Sequence, residues 1–172
     1  GWDYDMHMGH QLKGKTIGII GYGRLGKMMT DYCYAFGMNT LPYDPYKFDA
    51  DFELLLKISD VISLHVHAND ETRHMINKKT LGKMKNNSYI VNTSRGEIVN
   101  EHDIVDALRS GKLKGYATDV IEDEYGNREN SPILKGIKEG LNIIVTPHVG
   151  GMTWEGQQKA YKWSISKLKE LK

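Results

Sequence analysis

The segment G-Y-G-R-L-G at residues 21 to 26 constrains the fold of this 172-residue chain more than any other feature. It follows a short apolar run, residues 16 to 20, and it precedes apolar residues that recur at helical spacing. A strand, glycines at this spacing and a helix are together typical of a loop that holds a dinucleotide pyrophosphate. Gly21 permits the tight turn, Gly23 lets the backbone approach phosphates, and Gly26 lets the helix pack close to the strand. A kinase-type glycine loop is disfavoured because a helix follows.

Asp44 lies at the position where a dinucleotide-binding loop of this kind is accompanied by an acidic residue. Asp44 lies 18 residues after Gly26, at the end of the second predicted strand. A carboxylate there accepts hydrogen bonds from the adenosine ribose and repels a 2′-phosphate, so the sequence predicts a preference for NAD over NADP. Lys47 is the nearby cation that softens this preference. The alternative interpretation is a plain tight turn followed by an aspartate that caps a proline turn.

Strand-like and helix-like segments alternate along the chain, which predicts an α/β fold. We expect a Rossmann-type doubly wound parallel sheet with helices on both faces, which binds ligands at the carboxyl ends of its strands. Residues 121 to 140 are predicted to be the least regular part. The first helix has one apolar face, formed by Leu25, Met28, Met29, Tyr32, Cys33 and Phe36. The predicted strands are 16–20, 39–43, 61–66, 88–92, 116–120 and 142–145, and the predicted helices are 25–36, 52–58, 100–111 and 153–172.

The composition argues against several classes of partner. A net charge of +1 without long runs of like charge favours neither a nucleic-acid nor a membrane partner. No apolar run is long enough to span a bilayer. The single cysteine, Cys33, excludes an internal disulfide and suits the cytoplasm. His65 and His67 lie on one strand face, but no third ligand is evident, so we expect no metal site.

Three later segments narrow the choice among dinucleotide enzymes. They are V-N-T-S-R-G-E-I-V at residues 91 to 99, A-T-D-V at 117 to 120 with Glu124 behind it, and T-P-H-V-G-G at 146 to 151. Together with the glycine loop they resemble the D-isomer-specific 2-hydroxyacid dehydrogenases, from about residue 9 to the C-terminus. This resemblance implies NAD as cofactor and a small 2-oxo or 2-hydroxy acid as substrate.

The resemblance also implies a role for three side chains. Arg95 holds the substrate carboxylate and polarises its 2-oxo group, His148 is the general acid and base, and Glu124 orients that histidine. The reaction independently needs these residue types. Hydride transfer to a 2-oxo acid requires a proton at the carbonyl oxygen, which a histidine can carry. A carboxylate is best held by the planar fork of an arginine.

The same resemblance places further residues at the cofactor. Arg24 and Leu25 offer backbone amides to the pyrophosphate. The remaining positions lie toward the nicotinamide end, and they are Thr93, Ser94, Arg95, Asp119, His148, Gly150 and Gly151.

Two residues depart from the family pattern. His67 and Tyr125 stand where the family usually has proline, the first near the adenine and the second directly after Glu124. The second departure loosens the loop that carries Glu124, so Glu122 is the alternative for its role.

Length is the largest departure, because family members are roughly twice as long. We therefore expect residues 1–172 to be an NAD-binding domain that is inactive by itself. Residues 1–12 form an N-terminal arm, and residues 153–172 form a helix that leads toward a substrate domain absent from this chain. Trp2, Tyr4, Met6 and Met8 alternate along the arm, which suggests burial in a homodimer.

Two other functions remain open. The first is an NAD(H)-responsive regulatory module that binds protein partners, although such a sensor has no need of Arg95, Glu124 and His148 together. The second is a methyltransferase that uses S-adenosylmethionine, which the A-T-D-V and T-P-H segments disfavour.

Overall fold

Six parallel strands form one sheet with the order β2-β1-β3-β4-β5-β6. The structure is a computed structural model that describes residues 8–47 and 50–170. The strands are β1 (Thr16–Ile20), β2 (Asn39–Tyr43), β3 (Val61–Leu64), β4 (Ser88–Asn92), β5 (Leu113–Thr118) and β6 (Ile143–Val145). The helices are α1 (Arg24–Ala35), α2 (Phe52–Ile58), α3 (Lys78–Lys83), α4 (Glu101–Arg109), α5 (Pro132–Lys138) and α6 (Trp154–Glu170). The predicted α/β parallel sheet is confirmed.

The strand order places a topological switch point beside β1. Ile20, the last residue of β1, is paired with Tyr43 of β2 on one side and with Leu64 of β3 on the other. The chain therefore winds outward in both directions from this pair, and a crevice opens at the carboxyl ends of β1 and β3. The glycine loop begins in that crevice.

Alternating residues of β1 show that helices pack on both faces of the sheet. Ile19 shares a small buried cluster with Cys33 of α1. The next residue, Ile20, belongs to the main core together with Leu55 of α2. Gly18 lies on the α2 face, where a Cβ would stand only 2.6 Å from the Leu55 side chain. Successive side chains of a strand point to opposite faces, so α1 and α2 cover different sides.

The predicted apolar face of α1 is mostly on the outside, which corrects the expectation from its spacing. Only Gly26 and Cys33 are buried in this helix, and Met29 is partly buried against them. The contact with β1 is so close that it leaves room only for small side chains. The larger apolar residues are 43 to 64% exposed, and they are Leu25, Met28, Tyr32 and Phe36.

Several element boundaries differ from the predicted ones. β3 ends two residues early at Leu64, where the His65 amide makes a last bond to the Ile20 carbonyl at 2.7 Å. β5 begins three residues earlier than predicted, because Leu113 is buried although Lys114 and Gly115 interrupt the apolar pattern. Strand ends are set by pairing with neighbours, which local composition does not show.

Two short helices were not predicted. The six residues of α3 are held by a capping box in which Asn77 and Thr80 bond each other's backbone amides. α5 lies inside the segment predicted to be irregular, begins at Pro132 and buries Ile133 completely. Both helices are short, with six and seven residues, and helices of this length are stabilised mainly by tertiary contacts.

The last helix begins where the sequence predicts it. The Thr153 hydroxyl accepts a hydrogen bond from the Gly156 amide at 3.0 Å, and α6 then runs for 17 residues without a buried side chain. The predicted arm residues Trp2, Tyr4 and Met6, and Leu171 of the predicted last helix, lie outside the described residues. Met8 is described and is exposed. None of the helices in residues 8–47 and 50–170 is both long and apolar enough to cross a membrane.

We expect Gly26→Ala to destabilise the fold, because a Cβ at this position overlaps the Gly21 carbonyl oxygen. Overpacking of this kind lowers the free energy of unfolding by about 1–3 kcal/mol. Gly82→Ala is the matched control, since a Cβ there meets no atom within 4 Å. The control gains about 0.4–1 kcal/mol from a less flexible unfolded chain. Urea unfolding of the parent and both variants measures the two effects, and equal losses in both variants contradict the packing argument.

Candidate active site

The glycine loop has the geometry of a phosphate-binding turn. Gly21 has a φ of +94°, and a Cβ there would lie 2.5 Å from the His65 carbonyl oxygen. This residue therefore has to be glycine both for its backbone angle and for the approach of β3. A Cβ at Gly23 would stand in open space, with no atom within 4 Å. The middle glycine thus faces open space, and the approach of phosphates to it stays a prediction.

The N-terminus of α1 fits the pyrophosphate of NAD. Gly23 is the N-cap, no side chain caps the helix there, and its first turn contains no acidic residue. Arg24 and Leu25 follow as exposed residues of that turn. The first amides of a helix and its dipole favour an anion. Binding of the pyrophosphate by these backbone amides stays a prediction.

Asp44 lies at the end of β2 and is almost buried, with 8% exposure. One carboxylate oxygen accepts bonds from the Tyr22 amide at 3.0 Å and the Lys47 ammonium at 3.0 Å. The other oxygen accepts from the Tyr46 amide at 3.2 Å. Burial opposes ionisation of this carboxyl, but the bonds from Lys47, Tyr22 and Tyr46 outweigh it and lower its pKa. A charged acceptor therefore stands where an adenosine ribose is expected.

His148 and Glu124 are in direct contact, although 24 residues separate them. The distance between His148 Nδ1 and Glu124 Oε1 is 2.8 Å. The Glu124 side chain is 20% exposed and the imidazole is 40% exposed. The pair thus combines a sheltered carboxylate with an accessible histidine, which is the arrangement that the family resemblance implies.

The backbone of His148 is held in an uncommon conformation. Its φ is +55°, a region that residues other than glycine rarely adopt. The His148 amide donates to the carbonyls of Asp119, at 2.9 Å, and Thr146, at 3.0 Å. The turn then continues through Gly150 and Gly151. Such a conformation persists only where its surroundings enforce it, which is typical of functional sites.

The Asp119 carboxylate holds this turn together. One oxygen accepts from the Thr146 hydroxyl and from the Val149 amide at 3.0 Å, and the other accepts from the Gly150 amide at 2.8 Å. Burial opposes ionisation of Asp119, but these three bonds and the nearby His148 lower its pKa. The structure shows that Asp119 positions the turn that carries His148, while its place at the nicotinamide end stays a prediction.

A second turn carries Arg95. The Asn92 side chain accepts bonds from both the amide and the hydroxyl of Ser94, and it donates to the Arg95 carbonyl at 2.8 Å. The Arg95 guanidinium donates to the Ser94 carbonyl at 2.7 Å and is exposed. Thr93, at the same turn, is also exposed. The predicted carboxylate clamp is therefore anchored at its backbone and open to solvent at its charged end.

Tyr125 contacts Glu124 and lies within electrostatic reach of Arg95. Its hydroxyl is hydrogen-bonded to Glu124, which raises the pKa of the phenol, whereas the charges of Arg95 and Arg128 act in the opposite direction. The arginine turn follows β4 and the histidine turn follows β6, so both lie at the carboxyl edge of the parallel sheet. A cavity of about 490 Å³ opens beside the histidine pair, and Arg95 is not one of the residues that line it. Its walls are formed by Asp119, Val120, Ile121, Glu124, Tyr125, Arg128, Leu134, Val145, Thr146, Pro147, His148 and Met152.

Glu122, the alternative for the role of Glu124, is directed elsewhere. Its carboxylate lies 2.8 Å from His74 Nε2 and 3.3 Å from the Arg73 guanidinium. Its amide donates to the buried Glu101 side chain at 2.8 Å. The geometry therefore favours Glu124 as the partner of His148.

His65 lies beside the glycine loop. Burial lowers its pKa, and Nε2 is 2.9 Å from the Ser63 hydroxyl. Within the described part of the chain, no three His, Cys, Asp or Glu side chains are grouped so as to hold a metal ion.

Sequence reasoning missed Thr146, Asn92 and Tyr22 as parts of the site. Thr146 and Asn92 belong to the quoted motifs, but a motif does not show that their side chains hold a neighbouring turn. Tyr22 acts through its backbone amide, for which no sequence signal exists.

We expect Asp119→Asn to destabilise the protein, because an amide nitrogen then faces the Gly150 amide in place of an acceptor. The loss is about 1–3 kcal/mol at pH 7. A lowered folded pKa gives stability that is present above the unfolded value, about 3.9, and is lost as pH falls through the folded value. The difference between variant and parent should therefore disappear in strong acid.

Unfolding by denaturant from pH 3 to pH 7 measures this effect. Asp106→Asn is the matched control, because Asp106 is exposed and bonds only the exposed Arg109 within the described residues. A difference between parent and Asp119→Asn that persists undiminished at pH 3 contradicts the assignment.

Comparisons with known proteins agree with this geometry. The family model for the D-isomer specific 2-hydroxyacid dehydrogenase NAD-binding domain matches residues 1–150. A glyoxylate reductase of Thermococcus litoralis is 40% identical over 169 residues, which cover 92% of this chain and 49% of that protein. A hydroxypyruvate reductase of Thermotoga maritima is 36% identical, with coverage of 99% and 57%.

A solved structure shows the same fold. The D-lactate dehydrogenase from Aquifex aeolicus, complexed with NAD and lactic acid, superposes with a TM-score of 0.89 at 32% identity. The match covers 99% of this chain and 57% of that one. The chain thus spans about half the length of these relatives. From the family model, the fold and the contact between Glu124 and His148, we conclude that this chain belongs to the NAD-binding domain family of the D-isomer-specific 2-hydroxyacid dehydrogenases.

Proposed function

We propose that this chain serves the NAD-dependent interconversion of a small 2-oxo acid and its D-2-hydroxy acid. The contact between His148 and Glu124, at the same carboxyl edge of the sheet as Arg95, is the observation that carries this proposal. The glycine loop and Asp44 supply a binding site for the cofactor at the same edge of the sheet. NADH, when bound, supplies the hydride that reduces the 2-oxo carbon.

The protein side chains divide the remaining work. Arg95 holds the substrate carboxylate, since its fork matches the two oxygens. The imidazole of His148 donates a proton to the carbonyl oxygen during reduction and accepts it during oxidation. Because Glu124 engages Nδ1, we assign the transferred proton to Nε2. Glu124 keeps the ring oriented and stabilises its protonated form, without contact with the substrate.

The relatives indicate the substrate class. Their names include glyoxylate reductase and hydroxypyruvate reductase, and both substrates are short 2-oxo acids. The alternative of an NAD(H)-responsive regulatory module lacks a comparable observation in its favour. We place the protein in the cytoplasm, where the buried free thiol of Cys33 stays reduced.

We propose that turnover needs protein surface beyond that described. Arg95 is exposed and His148 is 40% exposed, so the groups that react stand open to water. Exclusion of water and orientation of substrate usually require a closing cleft. The 172-residue chain should therefore bind NADH but oxidise it at a negligible rate with glyoxylate, hydroxypyruvate or pyruvate.

Substitutions in the full-length protein test the catalytic roles. His148→Ala should lower kcat by about 10²–10⁴ with little change in NADH affinity, because general acid catalysis contributes that much. Arg95→Ala should raise KM and lower kcat, and Arg95→Lys should not restore them, since an ammonium group lacks the planar fork. Steady-state NADH oxidation measures these constants.

Glu124→Gln separates orientation from chemistry. A neutral amide stabilises the protonated imidazole less, so the pH–rate profile of reduction should move to lower pH while turnover persists. Glu122→Gln is the matched control, because Glu122 contacts His74 instead, so this variant should leave the pH–rate profile in place.

A His148→Ala enzyme with nearly parental kcat refutes the mechanism. A shift caused by Glu122→Gln alone transfers the orienting role to that residue.

We also propose that the protein forms a two-fold homodimer. The expectation from the N-terminal arm falls mainly on residues outside those described, but α1 gives separate support. One flank of this helix exposes Leu25, Met28, Tyr32 and Phe36. A second copy related by two-fold symmetry can bury this stripe against itself.

Tyr32→Asp should weaken such a dimer by at least about tenfold, because buried aromatic residues dominate interface energies. Tyr34→Asp is the matched control, since Tyr34 is 78% exposed and points to the opposite flank of α1. Sedimentation velocity over a range of protein concentrations measures both variants. A parent chain that is monomeric at high micromolar concentration refutes the dimer for this chain.

A further inference from the structure

We propose that Lys47 determines how strongly this chain discriminates between NADH and NADPH, and that it acts on the two nucleotides with opposite sign. Its ammonium group donates to the Asp44 carboxylate and so competes with the hydroxyls of an adenosine ribose for the same acceptor. The same ammonium group can also pair with a 2′-phosphate. The inference rests on the proposed placement of that ribose at Asp44. It goes beyond the softening expected from the sequence because it gives Lys47 opposite effects on the affinities for the two nucleotides.

The contacts of Lys47 define the competition. Its Nζ lies 3.0 Å from Oδ2 of Asp44 and donates to the Tyr22 carbonyl at 2.6 Å. The Tyr22 amide donates to the same Oδ2 at 3.0 Å. The Tyr46 amide donates to Oδ1 at 3.2 Å. Three donors of the protein thus converge on one carboxylate.

A count of acceptor sites shows the consequence for the ribose. A carboxylate offers about four lone-pair directions, and three of them are occupied here. The vicinal hydroxyls of a ribose donate two hydrogen bonds when an acidic residue holds both of them. One of these bonds therefore finds a free acceptor, and the other requires a donor of the protein to leave. The amides of Tyr22 and Tyr46 belong to the backbone, so Lys47 is the donor that can move.

The charge of Lys47 has the opposite consequence for a 2′-phosphate. This group carries a charge of roughly −1.5 to −2 and is repelled by the Asp44 carboxylate. Lys47 neutralises that carboxylate and keeps 43% of its side chain exposed. A rotation of its flexible stem brings the ammonium group to the phosphate without a change in the backbone. The same side chain therefore hinders the ribose diol and attracts the phosphate.

Lys47→Met is the decisive variant, because it keeps the length of the stem and removes the charge. Calorimetric titration of the 172-residue chain with NADH and with NADPH measures both affinities. We expect the parent to favour NADH by less than about tenfold, since an exposed cation offsets only part of the repulsion. Lys47→Met should tighten NADH by about twofold or more and weaken NADPH by about three- to tenfold.

Lys27→Met is the matched control. Lys27 belongs to α1, and its Nζ lies 5.9 Å from the centre of the Tyr22 ring. Lys27→Met therefore also removes one positive charge beside Tyr22. Lys27 forms no ion pair with Asp44 within the described residues. It should change both affinities in the same direction and leave the discrimination at its parental value.

A structural role of Lys47 would give a different result. If Lys47 only fixed the turn through the Tyr22 carbonyl, its loss would change both affinities by the same factor, and this outcome overturns the inference. An NADPH affinity that does not fall in Lys47→Met also overturns it.

A separate variant tests the underlying placement of the ribose. Asp44→Ala should weaken NADH by roughly ten- to a hundredfold, because a bond to a charged group is lost. Unchanged NADH binding in that variant refutes the ribose site in the proposed function. If Asp44→Ala weakens NADH binding as expected, but Lys47→Met changes the NADH and NADPH affinities by the same factor, only the assignment to Lys47 is refuted.

Discussion

The bonds accepted by the Asp119 carboxylate are the interaction on which the site depends. A residue at the end of β5 thereby organises the turn that follows β6, and the turn carries His148 in a backbone conformation that it would not keep alone. Glu124 then needs only one contact to orient the imidazole, because the ring already stands in place. The histidine is therefore positioned by charge-assisted bonds to the backbone, which resist distortion more than contacts between mobile side chains do.

Backbone contacts also hold the glycine loop in place. Gly21 brings the ends of β1 and β3 together, and the Tyr22 amide donates to Asp44, which directly follows β2. Three neighbouring strands are thus joined by one loop at the switch point of the sheet. The glycine loop, Asp44 and the turn that carries His148 lie along one edge of the sheet, so the fold brings together residues that are far apart in the chain.

Sequence reasoning succeeded where a pattern reports local geometry directly. The glycine spacing predicted the loop between β1 and α1, and the family motifs led to the pair formed by Glu124 and His148. It failed where packing against other elements of the fold determines the structure. Tyr32 has the spacing of a core residue, yet the close packing required by Gly26 places it outside. α5 was missed because tertiary contacts of its buried residues, Ile133 and Gly136, stabilise it.

The parallel sheet has a consequence for how this protein acquires its function. No residue of β1 is paired with one nearer than 23 positions in the sequence, and the other strand pairs are similarly remote. Such a topology folds slowly, because the entropy of long loops is lost before the contacts between strands stabilise the chain. Asp119 and Thr146 meet only after the last of these crossovers has formed. The histidine turn therefore depends on contact between the ends of β5 and β6, whereas the glycine loop depends on β1, β2 and β3.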